Sequence, residues 1–172
     1  MRLATPRLTL RPLEPGDARS TFAYAGDPVH TRYMMFLPYA SVEETEAYLR
    51  EAAAQWGEER PAFYEFAILR GGEHIGGVSL YRMEDPATGE LGWVLHPAWQ
   101  GQGFACEAAR AVIDWARDSL GLRRIIAQCD SENSASSALM RRLGMRFVSR
   151  VPGRRNRAMD GERMEDTWEL LL

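Results

Sequence analysis

The sequence predicts a single α/β domain built on a mixed sheet, and three observations lead there. The middle of the chain carries three successive strand patterns, the first two joined by the hairpin turn Arg70-Gly71-Gly72-Glu73, so these strands run antiparallel. After the third, a glycine-rich loop opens a long amphipathic helix and another strand follows, the arrangement of a crossover to a parallel neighbour. The chain has 172 residues, 45% hydrophobic and 26% charged, with no linker or low-complexity stretch, which suits one domain over residues 1–172 with a packed core.

Each element has local grounds. Arg7 to Arg11 alternates as RLTLR and reads as a short strand. Pro15-Gly16-Asp17 turns the chain into a helix over Ala18 to Ala25, which Gly26-Asp27-Pro28 ends. Ser41 and Glu44 give the S-x-x-E signature of a capping box, opening a helix that reaches Trp56. Phe63 to Leu69 and His74 to Arg82 are the hairpin strands, and Glu90 to Leu95 is the third. Ala105, Ala108, Ala109, Val112, Ile113, Ala116 and Leu120 form one helical stripe, with Gly121 at its C-terminal end. Arg124 to Cys129 is a strand, Asn133 to Leu143 a helix closed by Gly144, and Met145 to Val151 and Thr167 to Leu172 are closing strands. The expected sheet is mixed and mostly antiparallel, with about seven strands flanked by about four helices.

Composition excludes several classes of function. A formal net charge of −3 and a pI of about 5.7 argue against a general nucleic-acid or anionic-membrane surface. All 21 basic residues are Arg, which rules out a Walker-type phosphate loop and a Schiff-base lysine. Cys106 and Cys129 cannot make a four-ligand zinc site, and His30, His74 and His96 lack metal-ligand spacing, so no metal is expected. Arginines interrupt the N-terminal apolar residues, and no apolar run approaches the roughly 18 residues of a membrane span. With sparse cysteine usage, this points to the cytoplasm.

The chemistry concentrates in Glu90 to Glu107, ELGWVLHPAWQGQGFACE. Gly101 and Gly103 permit close backbone approach, and the following helix offers free N–H groups and the positive end of its dipole. Together they suit a pyrophosphate. Taken alone, the pattern equally fits an ordinary tight strand-to-helix connection. A dinucleotide-binding fold is disfavoured, because the strands before the loop are antiparallel.

Residues Gln100-Gly101-Gln102-Gly103-Phe104-Ala105 match the Q/R-x-x-G-x-G/A loop of the GNAT superfamily of N-acetyltransferases, and the chain resembles that family from about residue 5 to 172. The opening TPRLTLRPLEPGDA, Asn133-x-x-Ser136 and Leu143-Gly144-Met145 are similar to the branch that acetylates ribosomal-protein N-termini. The resemblance implies acetyl-CoA as co-substrate and a primary amine as acceptor, a protein N-terminus such as a ribosomal protein's or a small molecule, in a monomer or homodimer. It implies that Gln100, Gly101, Gln102, Gly103, Phe104 and Ala105 hold the pyrophosphate by backbone N–H groups. The strand ending at Val94 and Leu95 would splay from its parallel neighbour. The Val94 and Leu95 backbone would pair with pantetheine in that gap, and Asn133 would add a polar contact.

For catalysis, Glu90 is the candidate base, against a solvated strand-end carboxylate. Ser136 is the candidate hydrogen bond to the CoA sulfur, against a helix hydroxyl bonded to a carbonyl one turn earlier. Met140 stands where many family members place a tyrosine acid, a departure that removes that donor. Glu107 reads better as a partner of the helix dipole than as a base. Arg150, Arg154, Arg155 and Arg157 form a basic cluster that is either a solvated loop or a lid over an acidic acceptor or the CoA phosphates. The alternatives are an aminoglycoside or polyamine N-acetyltransferase, or a non-catalytic CoA-binding sensor or ribosome-associated module.

Overall fold

In the computed structural model, which describes residues 1–172, one mixed sheet of eight strands organises the chain. The elements are β1 (Leu3–Ala4), β2 (Thr9–Pro12), α1 (Ala18–Ala25), α2 (Val42–Gln55), β3 (Phe63–Arg70), β4 (Glu73–Arg82), β5 (Thr88–Leu95), α3 (Phe104–Leu120), β6 (Arg124–Asp130), α4 (Ser134–Arg142), β7 (Arg146–Arg154) and β8 (Arg163–Leu171). Across the sheet the order is β1-β2-β3-β4-β5-β6-β8-β7, and only β5 and β6 run parallel. The strand beyond the expected seven is β1, whose two residues are too few to show alternation. The last hairpin folds back so that β8, not β7, lies beside β6.

The two faces of the sheet are unlike. Helix α3 buries Phe104, Ala108, Ala109, Val112, Ile113 and Ala116 against Ile75, Val78, Leu80 and Leu91, and its alanines let the helix approach the strands closely. Gly121, at φ +68°, ends α3 in a left-handed cap. Helices α1 and α2 cover the other face, where Leu13, Ala18, Leu49 and Ala67 make only a small apolar cluster. Paired residues share a face, so Glu65, Ser79 and Gly92 form one cross-strand row under these helices, and Phe63, Tyr81 and Glu90 the next. This second face is where polar groups gather. No helix is long and apolar enough to cross a membrane.

Helix α2 starts as its sequence signature requires, with one adjustment. The Ser41 hydroxyl accepts from the Glu44 N–H, but the Glu44 carboxylate reaches the N–H of Ala40, one residue before the usual partner.

In the basic cluster each guanidinium has a carboxylate, and Arg154 and Arg157 also line the cavity described below. Arg150 pairs with Asp166 at 2.6 Å, Arg154 with Glu165 at 2.7 Å, Arg155 with Glu162 at 3.5 Å and Arg157 with Glu44 at 2.8 Å. Arg154 also donates to the carbonyl of Tyr33. Beside it, the amide of buried Asn156 donates to the carbonyls of Thr31, Met34 and Leu37. The β7–β8 hairpin thereby pins residues 31–37, a segment without regular secondary structure of its own. Asn156→Ala should cost about 1–3 kcal/mol by leaving these carbonyls unpaired. Urea denaturation reads the cost, and faster amide exchange confined to residues 31–37 locates it; an unchanged midpoint would contradict the pinning role.

Candidate active site

Strands β5 and β6 pair only over Thr88↔Arg124, Gly89↔Ile125 and Glu90↔Ile126, then diverge. Beyond that point β5 stays paired with β4 as far as Leu95, and β6 stays paired with β8 as far as Asp130. The gap therefore has two backed walls.

The β4–β5 ladder decides which backbone groups face the gap. His96 N–H donates to Ile75 O, and Met83 N–H donates to Thr88 O. Hydrogen-bonded pairs alternate in an antiparallel ladder, so in register Val94 pairs with Gly77 while Trp93 and Leu95 turn their backbone toward β6. The gap-facing backbone is therefore that of Trp93 and Leu95 and not that of Val94, whose expected pairing across the gap fails because its N–H and C=O are spent on β4. The Gln100 side chain occupies the Leu95 carbonyl at 3.2 Å, leaving the Leu95 N–H.

The loop after β5 supplies more donors. Gly101 and Gly103 adopt φ of +73° and +82°, and Gly103 is the N-cap of α3. The N–H groups of Gly101, Gln102, Gly103, Phe104, Ala105 and Cys106 have no acceptor within the protein, whereas the Gln100 N–H expected among them is spent on the Pro97 carbonyl at 3.2 Å, closing the short turn before the loop. A Cβ on Gly101 would meet nothing within 4 Å, and one on Gly103 would meet only the Arg7 guanidinium at 3.5 Å, so the glycines leave open space above the donors. Arg7 lies over the Phe104 ring, bonds the carbonyl of Gln102 and pairs with Glu107 at 2.6 Å. Thr5 also donates to Glu107, whose carboxyl these hydrogen bonds hold below its usual range against the opposing effect of burial. Glu107 is thus a tie between the N-terminal segment and the loop helix.

A cavity of about 690 Å³ connects the gap with the face under α1 and α2. Trp93, Gln128, Cys129, Asn133 and Ser136 line the gap side. Asn133 caps α4, its Oδ1 accepting from Ser136 N–H at 3.1 Å, which leaves its NH₂ to the cavity. The Ser136 hydroxyl makes no hydrogen bond within the protein, so the bond to a carbonyl one turn earlier is not formed. Met140 is fully buried in the core rather than in the cavity. Burial pushes the Cys129 thiol up, keeping it protonated.

The other side of the cavity is acidic and aromatic. Glu90 is half-buried beside the last paired register, and its carboxylate has no hydrogen-bond partner. Burial raises its pKa and Glu165 adds to the rise, while Arg154 opposes it. Glu65 is buried, and its Oε1 accepts from the Tyr48 hydroxyl at 2.6 Å and the Tyr81 hydroxyl at 3.2 Å. Burial lifts Glu65 to about 7, with the two hydroxyls pulling it down. Sequence reasoning missed Glu65. The available signal was a lone acid in the apolar strand FYEFAIL, and its partners come from other elements.

A family model described as an acetyltransferase (GNAT) domain matches residues 7–146. The chain is 32% identical over 149 residues to the uncharacterized N-acetyltransferase YnaD of Bacillus subtilis (strain 168), covering 85% of this chain and 83% of that protein. It is 30% identical over 137 residues to spermidine N(1)-acetyltransferase of Escherichia coli (strain K12), covering 78% and 70%. Among solved structures, RimL, a ribosomal L7/L12 alpha-N-protein acetyltransferase, superposes with a TM-score of 0.84 at 17% identity, covering 100% of this chain and 94% of that one, a likeness of fold alone.

Gly103→Asp places a charged side chain above the free loop amides. Titration calorimetry should show acetyl-CoA affinity falling by about tenfold or more, with thermal unfolding confirming a folded variant. Affinity close to that of the native chain would remove the anion-cradle assignment.

Proposed function

This chain belongs to the GNAT family of acetyl-CoA-dependent N-acetyltransferases, and we propose that it moves the acetyl group directly to a primary amine within a ternary complex, the acceptor being a protein N-terminus or a small molecule. One observation carries the reading: a single cavity joins the free strand edge to an acidic, aromatic face. The residues fit the co-substrate, since the open space over Gly101 and Gly103 lies against six unpaired amides.

Bound there, acetyl-CoA would supply an activated acyl group and a thiol leaving group. The amides of residues 101–106 would hold its diphosphate, and Gln100 would fix the loop to the end of β5 through Leu95. The backbones of Trp93 and Leu95, with the Asn133 amide, would bind the pantetheine arm, and a gap-facing N–H would polarise the thioester carbonyl. Glu90 would take the proton that an ammonium must lose before it attacks, directly or through water. The Ser136 hydroxyl would donate to the sulfur, a task that buried Met140 cannot perform. A thiol relay through Cys129 is disfavoured, because burial holds its thiol protonated.

The reading is tested by thiol release over a panel of amines; release with no amine would overturn it. Glu90→Gln should lower kcat near pH 7 by about 10²-fold. Because Glu90 titrates above the ordinary carboxylate range, the native rate climbs as pH rises through that raised value. The variant lacks this limb, and its deficit shrinks once solvent deprotonates the amine. Parallel pH profiles would assign Glu90 to structure.

Ser136→Ala should lower kcat while acetyl-CoA affinity stays unchanged, the mark of an interaction made mainly in the transition state. An unchanged kcat would leave the hydroxyl without a role in thiol departure.

A further inference from the structure

The chain buries five carboxylates, Asp17, Glu65, Asp130, Asp166 and Glu169. Four have an arginine: Arg11 on Asp17, Arg163 on Asp130, Arg150 on Asp166, and Arg124 with Arg146 on Glu169. Glu65 has none. The titratable groups facing it are Tyr24 from α1, Tyr39 from the segment before α2, Tyr48 from α2 and Tyr81 from β4. Burial and the neighbouring Glu65 raise all four, so they stay neutral. A buried carboxylate without a cation is costly, and this one lines the cavity.

The position of Glu65 separates it from the reacting centre. Glu65 pairs with Ser79, and Ser79 with Gly92, so Glu65 lies two strands from β5. At the usual strand spacing its Cα is about 9–10 Å from that of Gly92. The residues between are small, Gly77, Ser79 and Gly92, and all three line the cavity. They leave a floor along which a slender chain can lie. Around the carboxylate, the rings of Tyr39 and Tyr48 are 5.8 Å apart, and those of Phe63 and Tyr81 stack at 5.4 Å. Aromatic faces of this kind also favour a cation.

From this geometry we infer that Glu65, held by Tyr48 and Tyr81, is the subsite for a second cationic group of the acceptor, so that the preferred acceptors are slender amines carrying two positive charges. The inference rests on the acetyl-transfer reading and narrows its substrate class. The cation that the buried carboxylate lacks is then supplied by the acceptor. The amine at the β5–β6 gap is acetylated, and the amine at Glu65 positions it.

The test is titration calorimetry on the CoA-loaded protein with α,ω-diaminoalkanes of four to eight carbons, against monoamines of equal length, at pH 6 and pH 8. The native chain should bind the best diamine at least tenfold more tightly than its monoamine at pH 8, and less selectively at pH 6, where Glu65 is largely protonated. Glu65→Gln should abolish the preference at both pH values without changing CoA affinity. That variant should also gain thermal stability over the native chain between pH 5 and pH 8, because the native carboxylate must ionise across this range while buried and the amide does not. Tyr48→Phe removes one donor from the anion and should shift the preference to higher pH. Equal binding of diamines and monoamines by the native chain, or a preference that survives Glu65→Gln, would overturn the subsite. Thiol release is measured separately: failure to acetylate any amine would overturn the transfer reading, whereas equal acetylation of both classes would overturn the subsite alone.

Discussion

The site depends on where the β5–β6 ladder stops. A sheet that zipped fully would leave no cleft and no free strand edge. Here the two strands part after Glu90 and Ile126, yet neither is loose, because β4 holds one through Leu95 and β8 holds the other through Asp130. Unpaired backbone groups inside a protein are costly, and this fold keeps them on two rigid rails and at the start of α3. A partner that satisfies them finds the geometry already set, so little ordering entropy is lost on binding.

The charges around the gap divide into two kinds. On the β6 side, arginines fasten the last hairpin to β6 through Asp130 and Glu169 and join its two strands through Asp166. A guanidinium suits this work, since it grips both carboxylate oxygens, as Arg150 does on Asp166. Under α2 the pattern reverses at Glu65, which is kept with neutral phenols alone. The first arrangement serves the framework. The second, on the proposed reading, sacrifices stability where a ligand is to be recognised, the usual exchange at functional sites.

Much of this was legible locally. The glycine loop, the α3 stripe and its cap at Gly121 are short-range signals, and their physics does not depend on the rest of the fold. The substitution at Met140 was also readable, as the loss of a donor. What the sequence hid depends on distant pairing. The choice between Val94 and Trp93 is a matter of parity against β4, which no pattern within β5 reveals. The insertion of β8 beside β6 follows from long-range strand pairing. The partners of Arg154 and Arg157 and the hydroxyls on Glu65 come from residues far along the chain, so their identity appears only when the sheet is assembled.

The loop amides have a consequence for how the protein behaves among metabolites. On the proposed reading, these donors and the gap-facing groups of Trp93 and Leu95 address the diphosphate and pantetheine of the co-substrate. Acyl transfer leaves both parts chemically untouched. The spent thiol therefore competes for the same seat on nearly equal terms, because binding energy of this uniform kind does not distinguish substrate from product. Once total coenzyme is enough to fill the seat, occupancy by the co-substrate is set by the proportion of acylated to free coenzyme, and turnover slows when the acylated share falls.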